Sequence, residues 1–476
     1  MINKEEIRER VHSILNQNQE YLVSSLTNLI RIKSIQGDPK PGAPFGIGPA
    51  ESLDAFLSLG KELGFQTCNI DSYAGHILWN PTNPDAGCDD IGVLVHLDVV
   101  PADEDSWIYP PYSGQVVEGR IYGRGAQDDK GPAIAVLFAL MALKESGYVP
   151  RRSIRLIAGT NEETGSADLP KYLEKYPEPA QSIVPDGYFP VVHGEMGIQD
   201  ITLTYPLPAE NPGEPVVREL SGGSYRNMVP DSCRIILSHV SQSLEELRAF
   251  IPLDLAHLSK MTKNALDLVI ETQGKSVHAA LPELGTNAIS IMMKLLSVLP
   301  LRTNLSSFID FYNTNFGSDC YGERIGCSCS DEESGSLRLN TGVLTLKGNQ
   351  IVLDLNLRYP VSVEGEWVYK AIQTAVKKYG VESELLIDSK PLYFSSDDPF
   401  IKMLHKEYLL ETGDHDSVPL VQGGGTYART LKNAAAIGGK FPYNEDRAHQ
   451  TDENIFIKDL LSSARIYAGI LIEMTS

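Results

Sequence analysis

Short apolar runs and a longer apolar stretch alternate along the first part of the chain. The runs GVLVHLDVV (residues 92–100) and SIRLIAGT (residues 153–160) have the length and apolar character of buried strands. Between them, PAIAVLFALMALKES (residues 132–146) is long enough for a helix. Glu5 to Ser34 has the spacing of an amphipathic helix. The pattern predicts the α/β class, with a sheet covered by helices.

Polar residues that could carry chemistry lie at the end of the first predicted strand. His96 and Asp98 are two positions apart, so their side chains leave a strand on the same face. A neutral imidazole can bind a metal through one nitrogen while a carboxylate fixes the other nitrogen. A single histidine beside an apolar run is more often an ordinary packed residue, so the metal interpretation depends on other segments.

Two further segments carry carboxylates suited to a metal site. The glycine-rich loop YGRGAQDDKGP (residues 122–132) could hold Asp128 at a sharp turn, and it lacks the Gly-Lys-Ser/Thr pattern of a phosphate loop. The second predicted strand is followed by Glu162 and Glu163, whose side chains diverge. One could bind metal while the other collects a proton from water. The alternatives are a solvated turn and a pair of exposed glutamates.

Two residues further along the chain complete a set of candidate metal ligands. Asp186 follows a short apolar run, and His449 lies in the polar loop NEDRAHQTDENI. Carboxylates with two imidazoles suit zinc, manganese or cobalt, and no thiolate is needed. The set predicts a hydrolase with two metal ions, and its members are His96, Asp128, Glu163, Asp186 and His449.

The spacing of these ligands predicts an inserted domain. Four of them precede residue 190 and the fifth follows roughly 260 residues later, so the intervening chain must leave the site and return. We expect a discontinuous catalytic domain of residues 1–196 and 386–476, and an inserted domain of residues 197–385. A chain of 476 residues is also too long for one ordinary domain.

As a set, these segments resemble the dinuclear metallopeptidase family that includes aminoacylase, succinyl-diaminopimelate desuccinylase, the carnosinases and PepV-type bacterial dipeptidases. The resemblance, greatest to the PepV type, implies a zinc-peptidase-like catalytic domain with a mixed sheet flanked by helices, and an inserted α+β lid domain. The matching residues occur in the family's order and are His96-Leu-Asp98, the loop GRGAQDDKG, Glu162-Glu163, Asp186, GKSVHAALPELGTNA from Gly274, and His449.

The resemblance implies a role for each residue of the predicted metal site. Asp128 would bridge two divalent metal ions, with His96 and Asp186 completing one coordination shell and Glu163 and His449 the other. Zinc would be the first choice of metal, with manganese or cobalt as alternatives. Asp98 would orient His96, and Glu162 would act as general base and then general acid on a water between the metals. In this family the peptide bond after the bridging aspartate, here Asp128 to Asp129, is typically cis.

The resemblance also implies substrate contacts outside the metal site. His278 would stabilise the oxyanion, while Asn227 and Arg358 would contact the substrate. Arg358 has an alternative interpretation as an exposed surface charge on a strand. The segment VQGGGTYART would contact the substrate backbone through Gly424 and Gly425, and a phosphate loop is the competing interpretation of this segment.

The resemblance favours a metal-dependent dipeptidase that hydrolyses unblocked L-dipeptides, with β-alanyl and Xaa-His dipeptides among the candidate substrates. The chain length, the large insert, Asp186 and the Arg358 match support it. The main alternative is an N-acyl amino acid hydrolase that uses the same metals. A third hypothesis is a metal-dependent binding protein that has lost catalysis, and the intact Glu162 and complete ligand set argue against it.

The amino-acid composition limits the kinds of partner that the protein could bind. With 41 basic and 62 acidic residues, the net charge of −21 disfavours binding to nucleic acid or to an anionic membrane. No stretch has the apolar length of a spanning helix or signal region, so we expect a cytoplasmic protein. The resemblance implies that its partners are small peptide substrates. In PepV-type relatives the large insert takes the place of a dimer-forming lid. We therefore expect a monomer, with a homodimer as the alternative.

The cysteines are scattered and lack the spacing of a zinc or redox motif. We expect no disulfide framework and no functional thiol. The six cysteines are Cys68, Cys88, Cys233, Cys320, Cys327 and Cys329.

Overall fold

The chain forms two compact units in a computed structural model that describes residues 3–80 and 90–476. The first unit consists of Met1–His193, Phe394–Leu420 and Gly425–Ser476, and the second of Gly194–Tyr393 and Val421–Gly424. The chain therefore leaves the first unit in the middle of the sequence and returns to it twice.

Three helices precede the first strand, and the remaining helices are interspersed with strands along the described chain. The helices are α1 (Lys4–Gln17), α2 (Gln19–Ile30), α3 (Ile47–Glu62), α4 (Lys130–Glu145), α5 (Asp168–Leu173), α6 (Leu244–Arg248), α7 (Leu253–Ala256), α8 (Ala288–Val298), α9 (Ser306–Asn315), α10 (Gly365–Lys377), α11 (Pro399–Thr412) and α12 (Ile457–Met474).

Most strands belong to one large sheet in each unit. The strands are β1 (Gln66–Ile70), β2 (Ala74–Trp79), β3 (Ile91–His96), β4 (Gln115–Val117), β5 (Arg120–Tyr122), β6 (Ile154–Gly159), β7 (Gln181–Tyr188), β8 (Val192–Glu195), β9 (Gly197–Pro206), β10 (Val216–Gly222), β11 (Ser232–Ser238), β12 (Ser259–Asn264), β13 (Asp267–Gln273), β14 (Ser330–Asp331), β15 (Gly335–Ser336), β16 (Arg338–Lys347), β17 (Gln350–Tyr359), β18 (Glu382–Ser389), β19 (Leu392–Tyr393), β20 (Leu420–Gln422), β21 (Ala434–Lys440) and β22 (Asn454–Phe456).

The large sheet of the first unit is mixed, and its strand order begins β1-β2-β6-β3-β7-β21. Strands β6, β3, β7 and β21 run parallel, whereas β1 and β2 are antiparallel to their neighbours. All residues of β3 and β6 are buried, as expected for parallel strands covered on both faces. The predicted α/β class with a mixed sheet flanked by helices is confirmed.

Helix α4 lies at the centre of the first unit. Every residue from Lys130 to Leu143 is buried, because the helix packs against the sheet through β3 and against α1, α2 and α12. This explains why its sequence is apolar on all sides instead of along one stripe.

The segment from Glu5 to Ser34, which was predicted as amphipathic helix, is helical up to Ile30 but forms two helices. Asn18 separates α1 from α2, with φ −100° and ψ 14°. Its backbone N–H and its side-chain amide both donate to the carbonyl oxygen of Ile14. Asparagine competes for backbone hydrogen bonds in this way, and it ends α1 here.

The second unit is built on an antiparallel sheet of eight strands in the order β12-β13-β11-β10-β16-β17-β9-β18. Helix α8 packs against β11 and β13, and α10 packs against β18. Alternate residues of β9 are buried in the core of this unit, in keeping with a sheet that covers its core with one face.

Within residues 3–80 and 90–476, no helix combines the length and apolar character needed to span a membrane. Five cysteines within these ranges carry free thiols, and Cys88 lies outside the described residues.

Candidate metal centre

The candidate metal ligands gather at the carboxyl ends of the parallel strands in the first unit. His96 is the last residue of β3 and pairs with Gly159, the last residue of β6. Glu162 and Glu163 follow β6 after two residues, and Asp186 lies in β7, which also pairs with β3. Parallel strands present their carboxyl ends at one edge of a sheet, which is where α/β folds commonly place their sites.

One group of ligand atoms contains His96, Asp128 and Asp186, all within 4.8 Å of one another. The Nε2 atom of His96 lies 2.9 Å from Oδ1 of Asp128 and 3.9 Å from Oδ2 of Asp186. The side chain of His96 is 1% exposed. This group could hold one metal ion in a buried position.

A second group contains Asp128, Glu163 and His449, again within 4.8 Å. The Nε2 atom of His449 lies 3.1 Å from Oε1 of Glu163 and 3.4 Å from Oδ2 of Asp128. Asp128 therefore belongs to both groups, with Oδ1 towards His96 and Oδ2 towards His449. A carboxylate shared in this way is what a bridging ligand requires.

The charges of the pocket fit divalent cations. Burial raises the pKa of Asp186 and of Glu162 well above the usual range, and neighbouring carboxylates raise both further. Burial opposes ionisation of Asp128 too, but Lys440, His449 and His96 hold the pKa of that carboxyl well below its usual range. The pocket thus concentrates more carboxylates than its own cations neutralise, and two imidazoles complete a donor set suited to zinc or manganese.

The loop that carries Asp128 is held by one carboxylate that sequence analysis missed. Glu453 is fully buried, and its Oε1 accepts hydrogen bonds from the amides of Gln127 (2.7 Å) and Asp128 (3.1 Å). Its Oε2 accepts from the amide of Gly125 (3.1 Å) and from Nη1 of Arg124 (2.7 Å). Glu453 follows His449 by four residues, so the same polar loop supplies a candidate ligand and the support of another.

The peptide bond between Asp128 and Asp129 is cis, as the family resemblance implied. Asp129 turns back towards β3, where its Oδ2 accepts a hydrogen bond from the amide of His96 at 3.0 Å. The two adjacent aspartates therefore both contact His96.

Asp98 supports the glutamate pair as well as His96. Its two carboxylate oxygens accept hydrogen bonds from the amides of Glu162 and Glu163, each at 3.1 Å. The Nδ1 atom of His96 lies 3.0 Å from the carbonyl oxygen of Asp98 and 3.5 Å from its Oδ1. The backbone of Asp98 is thus a closer partner of the imidazole than the carboxylate that the sequence suggested for this purpose.

A second buried carboxylate supports the two residues before Glu162. Asp168 accepts hydrogen bonds through Oδ2 from the amides of Thr160 (2.7 Å) and Asn161 (2.9 Å), and from the hydroxyl of Tyr427. The Tyr427 ring lies edge-on to the His96 ring, with centroids 6.4 Å apart. Asp168 was not a candidate from the sequence, because it belongs to no motif with a spacing signal. Tyr427 lies in the segment VQGGGTYART, of which only Gly424 and Gly425 were candidates.

The predicted substrate residues lie mostly in the second unit. Asn227 accepts a hydrogen bond through its carbonyl oxygen from Ala279 at 2.8 Å, and Met228 pairs with His278, so Asn227 and His278 are neighbours. Arg358 lies in β17 and is 5% exposed, which excludes its interpretation as an exposed surface charge. Gly424 ends the second unit and Gly425 begins the last segment of the first.

The chain matches a known peptidase family over most of its length. The model of "Peptidase family M20/M25/M40" covers residues 92–473. A protein of Bacillus subtilis (strain 168) named "Putative dipeptidase YtjP" is 35% identical over 466 residues, covering 96% of this chain and 98% of the relative. "Putative dipeptidase SAR1836" of Staphylococcus aureus (strain MRSA252) is 33% identical over 463 residues, covering 95% and 97%.

Solved structures show the same fold at lower identity. The di-peptidase Dug1p from Saccharomyces cerevisiae matches with a TM-score of 0.59 at 13% identity, covering 98% of both chains. Human carnosine dipeptidase 1 matches with a TM-score of 0.56 at 14% identity, covering 98% of this chain and 99% of that one. The M20 family metallo-carboxypeptidase Sso-CP2 from Sulfolobus solfataricus matches with a TM-score of 0.55 at 17% identity, covering 94% and 98%.

Proposed function

The chain belongs to the M20/M25/M40 family of peptidases, and on that premise we propose that it is a metal-dependent dipeptidase that hydrolyses unblocked L-dipeptides. The observation that carries the proposal is the sharing of Asp128 between two groups of metal ligands. The relatives whose names read "Putative dipeptidase" support the choice of substrate class. β-Alanyl and Xaa-His dipeptides are included among the proposed substrates.

Two divalent ions would be held by the five ligands of the two groups, with zinc as the first choice and manganese or cobalt as alternatives. When bound, such ions lower the pKa of a water and stabilise developing negative charge on a carbonyl oxygen. The chain itself contributes the geometry. Asp98, Asp168 and Glu453 hold the backbone of the ligand loops through seven hydrogen bonds from backbone amides.

Glu162 is the group we propose for proton transfer. Its carboxyl lies among Asp98, Glu163 and Asp186 but belongs to neither group of ligands. Burial and the nearby carboxylates raise its pKa, and a raised pKa suits a carboxyl that must accept a proton from the attacking water and return it to the leaving nitrogen. Asp98 holds the amide of Glu162 and thereby limits the movement of this side chain.

The second unit would supply substrate contacts. We propose that His278 stabilises the oxyanion and that Asn227, Gly424 and Gly425 contact the substrate backbone. The adjacency of Asn227 and His278 supports a common role for them. Arg358 would bind the terminal carboxylate, for which the planar guanidinium offers two parallel donors.

Replacing Glu162 by Gln tests the role on which the mechanism depends. The variant should bind the same number of metal ions as the wild type, because Glu162 is in neither ligand group. Its kcat on a dipeptide should fall by at least about 100-fold, since general acid–base groups contribute about 10²–10⁴-fold. Metal content by atomic emission and kcat by amine release measure the two quantities.

The matched control is Glu174→Gln, which removes an exposed carboxyl that pairs with Lys171. It should retain wild-type kcat and metal content. A Glu162→Gln variant with most of the wild-type kcat would remove Glu162 from the mechanism.

A further inference from the structure

A lysine whose side chain is mostly enclosed lies beside the shared ligand of the two metal groups. Lys440 is the last residue of β21, and its side chain is 13% exposed. Its Nζ lies 3.6 Å from Oδ2 of Asp128. An ammonium group has three donors and no acceptor, so Lys440 cannot itself bind a metal ion. It places a positive charge inside a pocket whose other groups suit cations.

The carboxylates of Asp128 and Asp446 and the phenol ring of Tyr188 surround the Lys440 ammonium. The ammonium lies 5.3 Å from the centre of the Tyr188 ring and 4.0 Å from Oδ1 of Asp446. These are the acidic groups that face it from β7, from the Asp128 loop and from the loop after β21.

Asp446 is a second carboxylate for the lysine. Its Oδ2 accepts a hydrogen bond from the hydroxyl of Tyr188, which lies across from Lys440 in the β7–β21 pairing. Its other oxygen, Oδ1, is the one that lies near Lys440 and also accepts from the amide of Ala448. Lys440 therefore has one partner that is a candidate metal ligand and one that is not.

The charge of Lys440 acts unequally on the two groups of ligands. Oδ2 of Asp128, which lies 3.6 Å from Nζ of Lys440, also lies 3.4 Å from Nε2 of His449. The other oxygen, Oδ1, faces His96 at 2.9 Å. Repulsion between like charges is strong where the effective dielectric is low and falls with distance. A divalent ion held by Asp128, Glu163 and His449 would lie close to the Lys440 ammonium and would be repelled by it.

We infer that Lys440 is a resident cation that competes with metal for Oδ2 of Asp128. The site of Asp128, Glu163 and His449 is therefore the weaker of the two metal sites, and Asp446 receives the ammonium when that site fills. The inference rests on the proposed function, because it requires two metal sites. It adds that the two sites differ in affinity and names the residue that makes them differ.

Calorimetric titration of Zn²⁺ into the chelator-stripped full-length protein tests the inference. The wild type should bind two ions with unequal affinities. In Lys440→Met the weaker site should tighten by at least about tenfold, and the stronger site should change less, since the removed repulsion acts mainly on one site. Lys458→Met removes an equal charge from an exposed lysine and should leave both affinities unchanged.

Asp446→Asn should change the Zn²⁺ affinity of the weaker site in the opposite direction to Lys440→Met. Loss of this carboxylate leaves Asp128 as the main partner of Lys440, so the weaker site should weaken further. The double variant Lys440→Met with Asp446→Asn should return to the affinities of Lys440→Met. This cycle keeps the inference testable if one of the single variants folds poorly, and circular dichroism checks the folding of each.

The results of these titrations distinguish a failure of the Lys440 inference from a failure of the proposed dinuclear centre. A wild type that binds two ions, with affinities that neither Lys440→Met nor Asp446→Asn alters, overturns the inference and leaves the dinuclear centre standing. Weaker binding in Lys440→Met also overturns it, because the lysine would then support the metal site. A folded wild type that binds no Zn²⁺ overturns both.

Discussion

Two buried aspartates hold four consecutive backbone amides beside the candidate metal ligands. Asp168 binds the amides of Thr160 and Asn161, and Asp98 binds those of Glu162 and Glu163. Hydrogen bonds to charged acceptors are about twice as strong as neutral ones. The backbone of the proposed proton carrier is therefore fixed over four residues, which is the kind of support that accurate positioning requires.

Tyr427 completes this support, and removing its hydroxyl tests it. Tyr427→Phe deletes the hydrogen bond to Asp168 and keeps the ring beside His96. The free energy of unfolding should fall by about 1 kcal/mol. Because Asp168 also holds the loop before Glu162, kcat on a dipeptide should fall by about tenfold with little change in KM.

The matched control for Tyr427→Phe is Tyr312→Phe in the second unit. The Tyr312 hydroxyl is buried and bonded to Ser290 and Thr341, both at 2.8 Å. Its loss should cost similar stability without changing kcat. Equal kcat values for the two variants would reduce Tyr427 to a structural role.

The sequence indicated some residues of the site better than others. The five candidate ligands occur in short motifs, and the structure brings them into two groups. Glu453, Asp168 and Lys440 carry no such signal, because a single acid or lysine in a polar loop or at a strand end is common. Their contacts depend on how β21 and the C-terminal loop return to the site, which no local pattern records.

At the scale of elements, β2 and α5 enclose an uncharged histidine. His76 of β2 is 5% exposed, and its Nδ1 lies 3.1 Å from the hydroxyl of Tyr172 in α5. Its ring meets those of Tyr172 and Tyr176 edge-on. Burial, and then the nearby Arg155, lower the pKa of His76 to about 4. The fold therefore favours the neutral imidazole.

This depressed pKa predicts a dependence of stability on pH. The unfolded chain binds a proton at His76 below about pH 6.5, whereas the folded chain does so only near pH 4. The stability that the neutral His76 contributes to the folded state is fully present above about pH 6.5, decreases as the pH falls and is lost near pH 4. Lowering the pH from 7 to 5 should therefore reduce the free energy of unfolding by about 2 kcal/mol.

Urea unfolding of the wild type and of His76→Gln at both pH values measures this contribution. The difference between the two proteins isolates His76 from the other histidines, and it should shrink by about 2 kcal/mol from pH 7 to pH 5. A difference that stays constant between the two pH values would show that His76 titrates alike in the folded and unfolded chains.

Predictions for the elements succeeded where burial was uniform. The strands β3 and β6 are buried throughout and the helix α4 is buried from Lys130 to Leu143, and β6 and α4 were predicted with nearly their observed bounds. The first strand nevertheless ends at His96, four residues before the predicted end at Val100. Apolar residues continue to Val99 because the loop after β3 is buried, so hydrophobicity did not mark where strand pairing stops.

At the scale of the whole molecule, the main feature is a chain that leaves one unit and returns. The second unit comprises Gly194–Tyr393 with Val421–Gly424, whereas the sequence predicted an insert of residues 197–385. The assignment of Val421–Gly424 to the second unit could not be predicted, because four residues carry no pattern of their own. The monomeric state stays a prediction, and a light-scattering mass near twice the 52.3 kDa of one chain would contradict it.

A hydrolysis panel on chelator-stripped protein resupplied with zinc or manganese tests the proposed dipeptidase activity. The panel contains unblocked L-dipeptides, a β-alanyl dipeptide, longer peptides and N-acetyl amino acids, and amine release is measured with and without metal. We expect metal-dependent release from dipeptides and none from longer peptides or N-acetyl amino acids. Release from N-acetyl amino acids in place of dipeptides would contradict the substrate class, and no release from any member would contradict the proposed activity.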